Sequence, residues 1–599
     1  MSNRCWPVAA LLFCVAFALP AAVAAQDVRW HTSSDEAFAL ARREHRLVIL
    51  DLEAVWCHWC HVMERETYAN PDVRKVLNES YVALKIDQDA NPDISARYGD
   101  WGWPATIVFA ADGSEIVKRR GYIEPQRMLS MLKAIVADPS PGPSVVDVSP
   151  VVAGSTSALT EAQRKKLTDD FLSFYDAKNG GWGDGQRYVD AQAMELAIAI
   201  AQGGDAGAPT MARQTLDANI NLLDPVWGGV YQYSVESDWK SPHFEKIMSF
   251  QADDLRLYAL AYANWHEPKY LDSTQAIQRY LTNFLLSPDG AFYVSQDADL
   301  SHEVDGHVYY ALDDAARRKL GLPRIDRHLY TRENGWAIAA LCRVHDILGD
   351  AQALATAERA ARWVLIHRAL PGGGFRHDEK DRTGPYLADN IAMVQALLNL
   401  YRSSGKREWL TRAEAALGFI ETRFRAADGG YVTAPAPKGA AGVFAKPLRI
   451  VDENIALARV ANLGYRVTSR KRDQSISEQA MRFATAPAVL QSREFLPGLI
   501  LADREIGHEP IHIAIVGGKD DSTAQALQSA ALRYPADYLR VDWWDRREGP
   551  LPNPDVTYPK LAKPAAFACT GNACSLPVFA PDQIAPAVDR LRAAQDSAR

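Results

Sequence analysis

The sequence predicts a multidomain chain, α/β at both ends and all-α between them, and three observations carry that reading. Its 599 residues are about four times a common single-domain length. An apolar run, Leu47 to Leu52, leads into a Cys-x-x-Cys pair that opens a helical stretch. Beyond residue 159, turns built from glycine and an aromatic residue recur between long amphipathic stretches, and after about Pro487 short extended runs return.

Composition supports folding throughout, with 48% apolar and 23% charged residues. Lys plus Arg number 66 against 74 Asp plus Glu, a net charge of −8, and no run of five basic residues occurs. That removes the electrostatic case for nucleic acid as a partner. At the N-terminus, Arg4 precedes an uncharged stretch with an apolar centre that ends in Ala-Ala-Val-Ala-Ala before Gln26. Residues 1–25 therefore read as a secretory signal peptide, cut after Ala24 or Ala25. An uncleaved membrane anchor is the alternative, but the small-residue end favours cleavage, and Phe13 is too large for a lipobox before Cys14. The expected mature protein is secreted or periplasmic, without stable membrane insertion, in a compartment where disulfides persist.

Five cysteines remain after the signal: Cys57 and Cys60, Cys342, and Cys569 and Cys574. The first pair follows a strand and opens a helix. A cysteine at a helix N-terminus has its thiolate stabilised by free N–H groups and the helix dipole. Cys57 is thus the expected nucleophile and Cys60, one turn on, the resolving thiol, with His58 and His61 adding positive charge and Trp59 between. The stretch Cys-His-Trp-Cys-His also fits the haem c attachment signature. Context decides between them. A helix from Asn70-Pro71, a strand (YVALKIDQD), a Trp-Gly-Trp-Pro turn, a hairpin and a helix from Pro125 follow, an order that matches a thioredoxin fold, so no cofactor and no metal are expected.

These residues resemble thioredoxin-like proteins, and the resemblance implies a cis Pro104 after Trp103, facing the dithiol, and a buried Asp51 that accepts the proton of Cys60. The longer phrases WCHWCHVMERETY, NESYVALKIDQDANPDI, GWPATIVFAADG, GGVYQYSVESDWKSPHFEKIM, FYVSQDADL, GPYLADNIAMVQALLNLY and AFACTGNACSLPV are similar to the spermatogenesis-associated protein 20 family of thioredoxin-domain proteins. That resemblance spans nearly the whole mature chain. It implies a thioredoxin-like domain fused to an α/α toroid of the six-hairpin glycosidase type.

The residues give the toroid independently. A linker rich in Pro, Ser and Val, residues 139–158, separates a thioredoxin-like domain (26–138) from a region (159–486) with turns at Asn179, Trp227, Asp289, Pro371 and Asp428. Between the turns lie helices with wide apolar faces, such as NGWAIAALCRVHDIL. A repeat of two helices and a loop closes on its neighbours and gathers its loops on one face. That face is expected to present Trp182, Trp227, Tyr231, Tyr233, Trp239, His243, Glu245, Asp297, Asp299, Asp389 and Asn390, whose aromatics and carboxylates suit a carbohydrate ligand or acid–base work. Departures from the family pattern at Ser249-Phe250, Arg332-Glu333-Asn334-Gly335 and Val451-Asp452-Glu453-Asn454 argue for a binding scaffold over a catalyst.

Residues 487–599 read as a small α/β appendage. Cys569 and Cys574, about a Gly571-Asn572 turn, are expected to form a local disulfide, and Cys342 to be buried and inert. Electron exchange between the two cysteine pairs is a sharper possibility that requires sulfur contact. The leading expectation is a thiol–disulfide oxidoreductase or redox sensor acting on protein thiols or disulfides. A carbohydrate-active or sugar-binding toroid with an accessory thioredoxin-like domain is the alternative.

Overall fold

Val48, Ile49, Leu50 and Leu52 have no exposed surface, because their strand is central and covered on both faces, which is why it reads as a continuous apolar run. In the computed structural model, which describes residues 27–146, 151–202, 207–381, 383–436, 440, 442–553, 555–570 and 573–597, this strand is β2 (Leu47–Glu53). It lies in a sheet of order β1-β3-β2-β4-β5 with β1 (Trp30–His31), β3 (Tyr81–Asp87), β4 (Ala105–Phe109) and β5 (Glu115–Arg120). The first three run parallel and β4 and β5 antiparallel. Around the sheet lie α1 (Ser34–Glu44), α2 (His58–Glu66), α3 (Pro71–Ser80), α4 (Pro92–Tyr98) and α5 (Pro125–Ala137). This is the thioredoxin-like arrangement, extended at its start by β1 and α1. The signal-peptide region and residues 147–150 of the linker lie outside the described residues.

Next comes a closed ring. Among the described residues its inner helices are α7 (Ala191–Gln202), α9 (Met248–Trp265), α13 (Thr331–Leu348), α15 (Leu387–Ser404), α17 (Val451–Thr468) and α20 (Pro497–Gly507). Each touches the next, and α20 returns to α7. Outside them pack α8 (Ala208–Asn219), α10 (Pro268–Tyr280), α14 (Ala351–His367), α16 (Arg407–Arg423), α18 (Lys471–Ala484) and α6 (Glu161–Ser173). The inner helices are apolar nearly all round because both their sides are covered. Short elements complete the loops: β6 (Tyr233–Ser234), β7 (Pro242–His243), β8 (Lys246–Ile247), β9 (Ser295–Gln296), β10 (Ile325–Asp326), α11 (Gly306–Tyr310), α12 (Asp314–Leu320) and α19 (Pro487–Ser492).

Each of the five Gly-aromatic turns is closed by one antiparallel bridge, for example Leu223 to Val230 and Ala369 to Phe375. Four are pinned by an amide side chain from an inner helix. Asn334 bonds both backbone groups of Phe292, Asn390 those of Phe375, Asn454 those of Tyr431, and Gln251 those of Val230. Glycine is required where the turns meet the next hairpin. At Gly228, with φ +76°, a Cβ would lie 2.1 Å from the Ala276 carbonyl oxygen.

Two expectations change here. Residues 487–507 are not part of the appendage, since α20 is the sixth inner helix and Leu496, Leu499, Ile500 and Leu501 belong to the ring's core. The ring cannot close without them. Asn390, expected at a ligand site, is instead fully buried as a turn pin.

The α/β layer begins at β11 (Ile511–Val516) and contains α21 (Ser522–Leu532), β12 (Leu539–Trp544), β13 (Ala565–Thr570), β14 (Ala573–Cys574) and α22 (Ile584–Ser597), with sheet order β12-β11-β13-β14. It seats against the C-terminal ends of the inner helices, where Arg343 pairs with Asp537 and Gln528 donates to the Ser403 carbonyl. Inside the ring Arg256 and Arg459 pair with Glu195, and Arg459 with Glu505, around a cavity of ≈ 110 Å³. The axis of the ring is therefore largely filled.

Asn390→Ala removes the partners of two buried backbone groups of Phe375. Toroid stability should fall by about 3 kcal/mol, read by urea unfolding, with the reactivity of Cys57 and Cys60 unchanged.

Candidate functional site

Cys57 is the N-cap of α2, and its Sγ accepts from the Cys60 backbone N–H at 3.1 Å. That is the placement that favours a thiolate. Cys57 and Cys60 are joined as a disulfide. The Trp103–Pro104 peptide is cis, as the resemblance implied, and Trp103 meets Trp56 edge to face at 5.5 Å. Trp59 is 42% exposed, whereas Cys57 is 3% and Cys60 5% exposed.

Beneath the pair lies Asp51, on β2 between Lys85 of β3 and Thr106 of β4. Burial pushes its carboxyl up to about 7, with Glu53 adding to the effect and Lys85 opposing it. Its Oδ1 is buried together with the Tyr68 and Thr106 hydroxyls, and the Tyr68 hydroxyl opposes the rise. A carboxylate with that affinity can take and return a proton near neutrality.

Above the pair lies the toroid. His58 Nδ1 bonds Asp299 Oδ2 at 2.6 Å, and His61 Nε2 bonds Asp297 Oδ2 at 2.9 Å. The hydrogen bond to Asp299 holds His58 above the ordinary histidine value, and that to Asp297 does the same for His61, burial opposing both. Burial also pushes Asp297 up, while Asp299, its burial outweighed by His58, is lowered. The His58 backbone N–H points at Glu245 Oε1, 3.4 Å away, and Glu245 Oε2 is 3.5 Å from His243 Nδ1. Ile247 and Phe250 close over the sulfurs together with Trp103.

The loop bearing Glu245 is held by its neighbour. Lys246 Nζ donates to Asp224 Oδ2 at 2.7 Å and to the Gly228 carbonyl at 2.8 Å, and Arg317 reaches the same Asp224 oxygen at 2.7 Å. All three side chains are fully buried. Asp299 is fixed similarly, accepting from the Gly306 N–H at 2.8 Å.

A second contact lies beside the first. Trp56 Nε1 donates to Asp89 Oδ2 at 2.8 Å, and Arg332 of α13 approaches Asp89 at 3.8 Å while holding Glu333. His377 Nε2 meets the Asp89 carbonyl at 2.7 Å and its Nδ1 meets Asp389 at 2.9 Å. Burial opposes charge on His377, but Asp389 carries its pKa up to about 9. It therefore donates from both nitrogens and ties Asp389 to the thioredoxin-like domain.

The structure thus brings together two groups of residues that the sequence predicts separately. Asp297, Asp299, Glu245, His243 and Asp389 do not line an open mouth but face the dithiol domain. Trp182, Trp227 and Trp239 are packed into the ring, with their indole N–H groups bonded to Phe171, Asp314 and Gly180. Asp89, Tyr68, Thr106, Ile247 and Phe250 escaped sequence reasoning. The one available signal was the pair of histidines flanking the cysteines, which need acidic partners when buried. Cys342 is fully buried, and burial pushes its thiol up. Cys569 and Cys574 form the expected disulfide, with Gly571 and Asn572 outside the described residues. The two pairs lie in separate clusters, Cys57 and Cys60 with Trp56 and Ile247, and Cys569 with Tyr558 and Phe567 in the C-terminal layer. Among the described residues, no group of three or more His, Cys, Asp or Glu could hold a metal, and no helix is long and apolar enough to cross a membrane.

Comparisons with known proteins follow the same division. A family model described as "Protein of unknown function, DUF255" (Thioredox_DsbH) matches residues 19–137. Spermatogenesis-associated protein 20 of Mus musculus is 25% identical over 410 residues, 62% of this chain and 49% of the mouse protein. The chain is thus similar, over more than half its length, to spermatogenesis-associated protein 20. It spans about half the length of that mouse relative. The thiol:disulfide interchange protein DsbD 1 of Pseudomonas aeruginosa is 38% identical over 94 residues, 15% of this chain and 16% of that protein. A crystal structure of D-mannose isomerase aligns over 58% of this chain and 96% of its own, with TM-score 0.45 and 12% identity. The N-terminal part is a thioredoxin-like thiol–disulfide domain.

The two His–Asp pairs make docking pH-dependent. Because His58 and His61 are raised, their contribution is complete below the ordinary histidine value of about 6.5 and is lost as pH rises through the raised values. In acid the His61 pair fades first, as pH falls through the raised value of Asp297, and the His58 pair later, through the lowered value of Asp299. Unfolding free energies of the wild type and of His58→Gln/His61→Gln, read by urea titration, should differ most in mildly acidic buffer, by about 1 kcal/mol per pair, and converge in alkaline buffer.

Proposed function

We propose that this protein is an exported thiol–disulfide oxidoreductase whose dithiol works beneath a toroid that governs access to it. The observation that carries the reading is the placement of Cys57 at the cap of α2, bonded to Cys60, above a buried Asp51 with a pKa of about 7. Thiol–disulfide interchange is also what the matched Pseudomonas relative is named for. The signal-like N-terminus supports export, and an oxidising compartment is where disulfides such as Cys569–Cys574 persist.

In the reducing direction, the Cys57 thiolate attacks one sulfur of a substrate disulfide. The substrate S–S bond breaks, and its leaving thiolate takes a proton from solvent. Asp51 takes the proton of Cys60, whose thiolate attacks Cys57 Sγ. The substrate's second sulfur leaves as a thiolate and takes the proton held by Asp51, and the protein dithiol has become a disulfide while the substrate disulfide has become two thiols. The oxidising direction is the reverse. With Cys57 3% exposed, a substrate disulfide reaches it only when Glu245, Ile247 and Phe250 give way. The toroid therefore serves as a filter for protein or small thiol partners. A carbohydrate role finds Asp299, Asp297 and Asp389 committed to His58, His61 and His377, and Trp227, Tyr231 and Trp239 packed in the core.

Cys57→Ser should abolish disulfide exchange, and Cys60→Ser should accumulate a mixed disulfide with the substrate. Asp51→Asn should slow resolution by about 100-fold. In the wild type that rate rises with pH through about 7, as Asp51 loses its proton and becomes an acceptor, and in the variant this rise should vanish. Stopped-flow tryptophan fluorescence with a model disulfide measures all three. Intact mass of the exported protein should show a start after Ala24 or Ala25.

A further inference from the structure

The N-terminus of α2 is the group that makes Cys57 reactive, and two anionic groups compete for it. Cys57 Sγ accepts from the Cys60 N–H at 3.1 Å. Glu245, from another domain 187 residues away in sequence, holds its Oε1 3.4 Å from the His58 N–H. Glu245 is 3% exposed, and its Oε2 is buried with no hydrogen-bond partner. Lys246, bonded to the Asp224 carboxylate that Arg317 also holds, keeps the neighbouring Glu245 in place. The other charged groups around the helix end are His58 and His61 with their partners Asp299 and Asp297, His243 beside Glu245, and Asp51 below.

We propose that Glu245 is a positioning residue that lowers the reduction potential of the Cys57–Cys60 pair by setting a fixed negative charge against the Cys57 thiolate. This rests on the thiol–disulfide reading and deepens it. Reduction converts a neutral disulfide into a thiol and a thiolate at the helix end: the protein disulfide and two glutathione thiols give the protein dithiol and one glutathione disulfide. Whatever stabilises the thiolate favours the reduced protein and makes the pair a stronger oxidant. The helix dipole and the His58 imidazolium act in that direction. Glu245 acts against them, because a carboxylate at the helix N-terminus, set against the His58 N–H, offsets part of the dipole's positive end and repels a thiolate at close range. The toroid thereby supplies a tuning charge that a free thioredoxin-like domain would lack, and biases the pair toward donating electrons.

The test uses the full mature chain, equilibrated in glutathione buffers at pH 7, alkylated, and analysed by mass spectrometry. Glu245→Gln keeps the shape and removes the charge. Its equilibrium should move toward the dithiol by about tenfold, which is about 30 mV toward a more oxidising potential, and the pH midpoint for alkylation of Cys57 should fall. His58→Gln should move both readouts the opposite way. Glu245→Asp, which keeps the charge while disturbing the packing, should stay near the wild type. An unshifted Glu245→Gln, or equal shifts in Glu245→Gln and Glu245→Asp, overturns the role of the charge while leaving the dithiol reading intact. A wild-type pair that never cycles overturns both.

Discussion

Six inner helices that run the same way around one axis impose a constraint on everything attached to them. Their N-terminal ends collect at one rim and their C-terminal ends at the other, so the helix dipoles add to give a positive rim and a negative rim. The sequence answers with Glu333, Asp389, Asp452 and Glu453 in the first turns of α13, α15 and α17, and with His345, Arg402 and Arg466 in the last turns of the same helices. Each end then meets a different cap. The thioredoxin-like domain brings His58 and His61 to Asp299 and Asp297 in the loops of the first rim, and the Asp89 carbonyl to His377. The C-terminal layer brings Asp537 to the arginines of the second.

This arrangement changes what the dithiol is. In an isolated thioredoxin-like domain the N-terminus of α2 faces solvent, and its chemistry is set from below by Asp51. Here it faces the carboxylates Glu245, Asp297 and Asp299 as well, in a region shielded from water where charge acts at longer range and greater strength. Asp299 and Asp297 hold the two histidines toward their charged forms, which offsets two of those acids, and the balance of the remaining charge falls on the helix end. Rigid anchoring of the acidic loops by the fully buried Lys246, Asp224 and Arg317 makes that balance a fixed property of the docked state.

Much of this was legible in the amino-acid sequence because it depends on local pattern. The strand from Leu47 to Leu52, the Pro71 and Pro125 helix starts, the five glycine turns and the apolar helices follow from residue spacing and backbone preference. The dithiol roles follow from Cys57 standing at a strand-to-helix turn. Where sequence reasoning failed, the cause was long-range closure. Residues 497–507 look like the start of the α/β appendage until the ring is seen to need a sixth inner helix. Asn390 looks like a ligand-binding amide until its position one helix turn from Tyr386 is seen to place it against the Phe375 backbone.

The sequence by itself determined that there is a dithiol at a helix N-terminus, a repeat of helical hairpins and a second local disulfide, since each depends on residues within about one supersecondary unit. Only the tertiary structure decided that the acids of the toroid belong to the dithiol. His58 and Asp299 are 241 residues apart, and His61 and Asp297 are 236. Nothing in local spacing relates them. They meet because the ring aligns its loops at the rim that the thioredoxin-like domain covers, and the energy of a buried charge depends on which charges surround it in space.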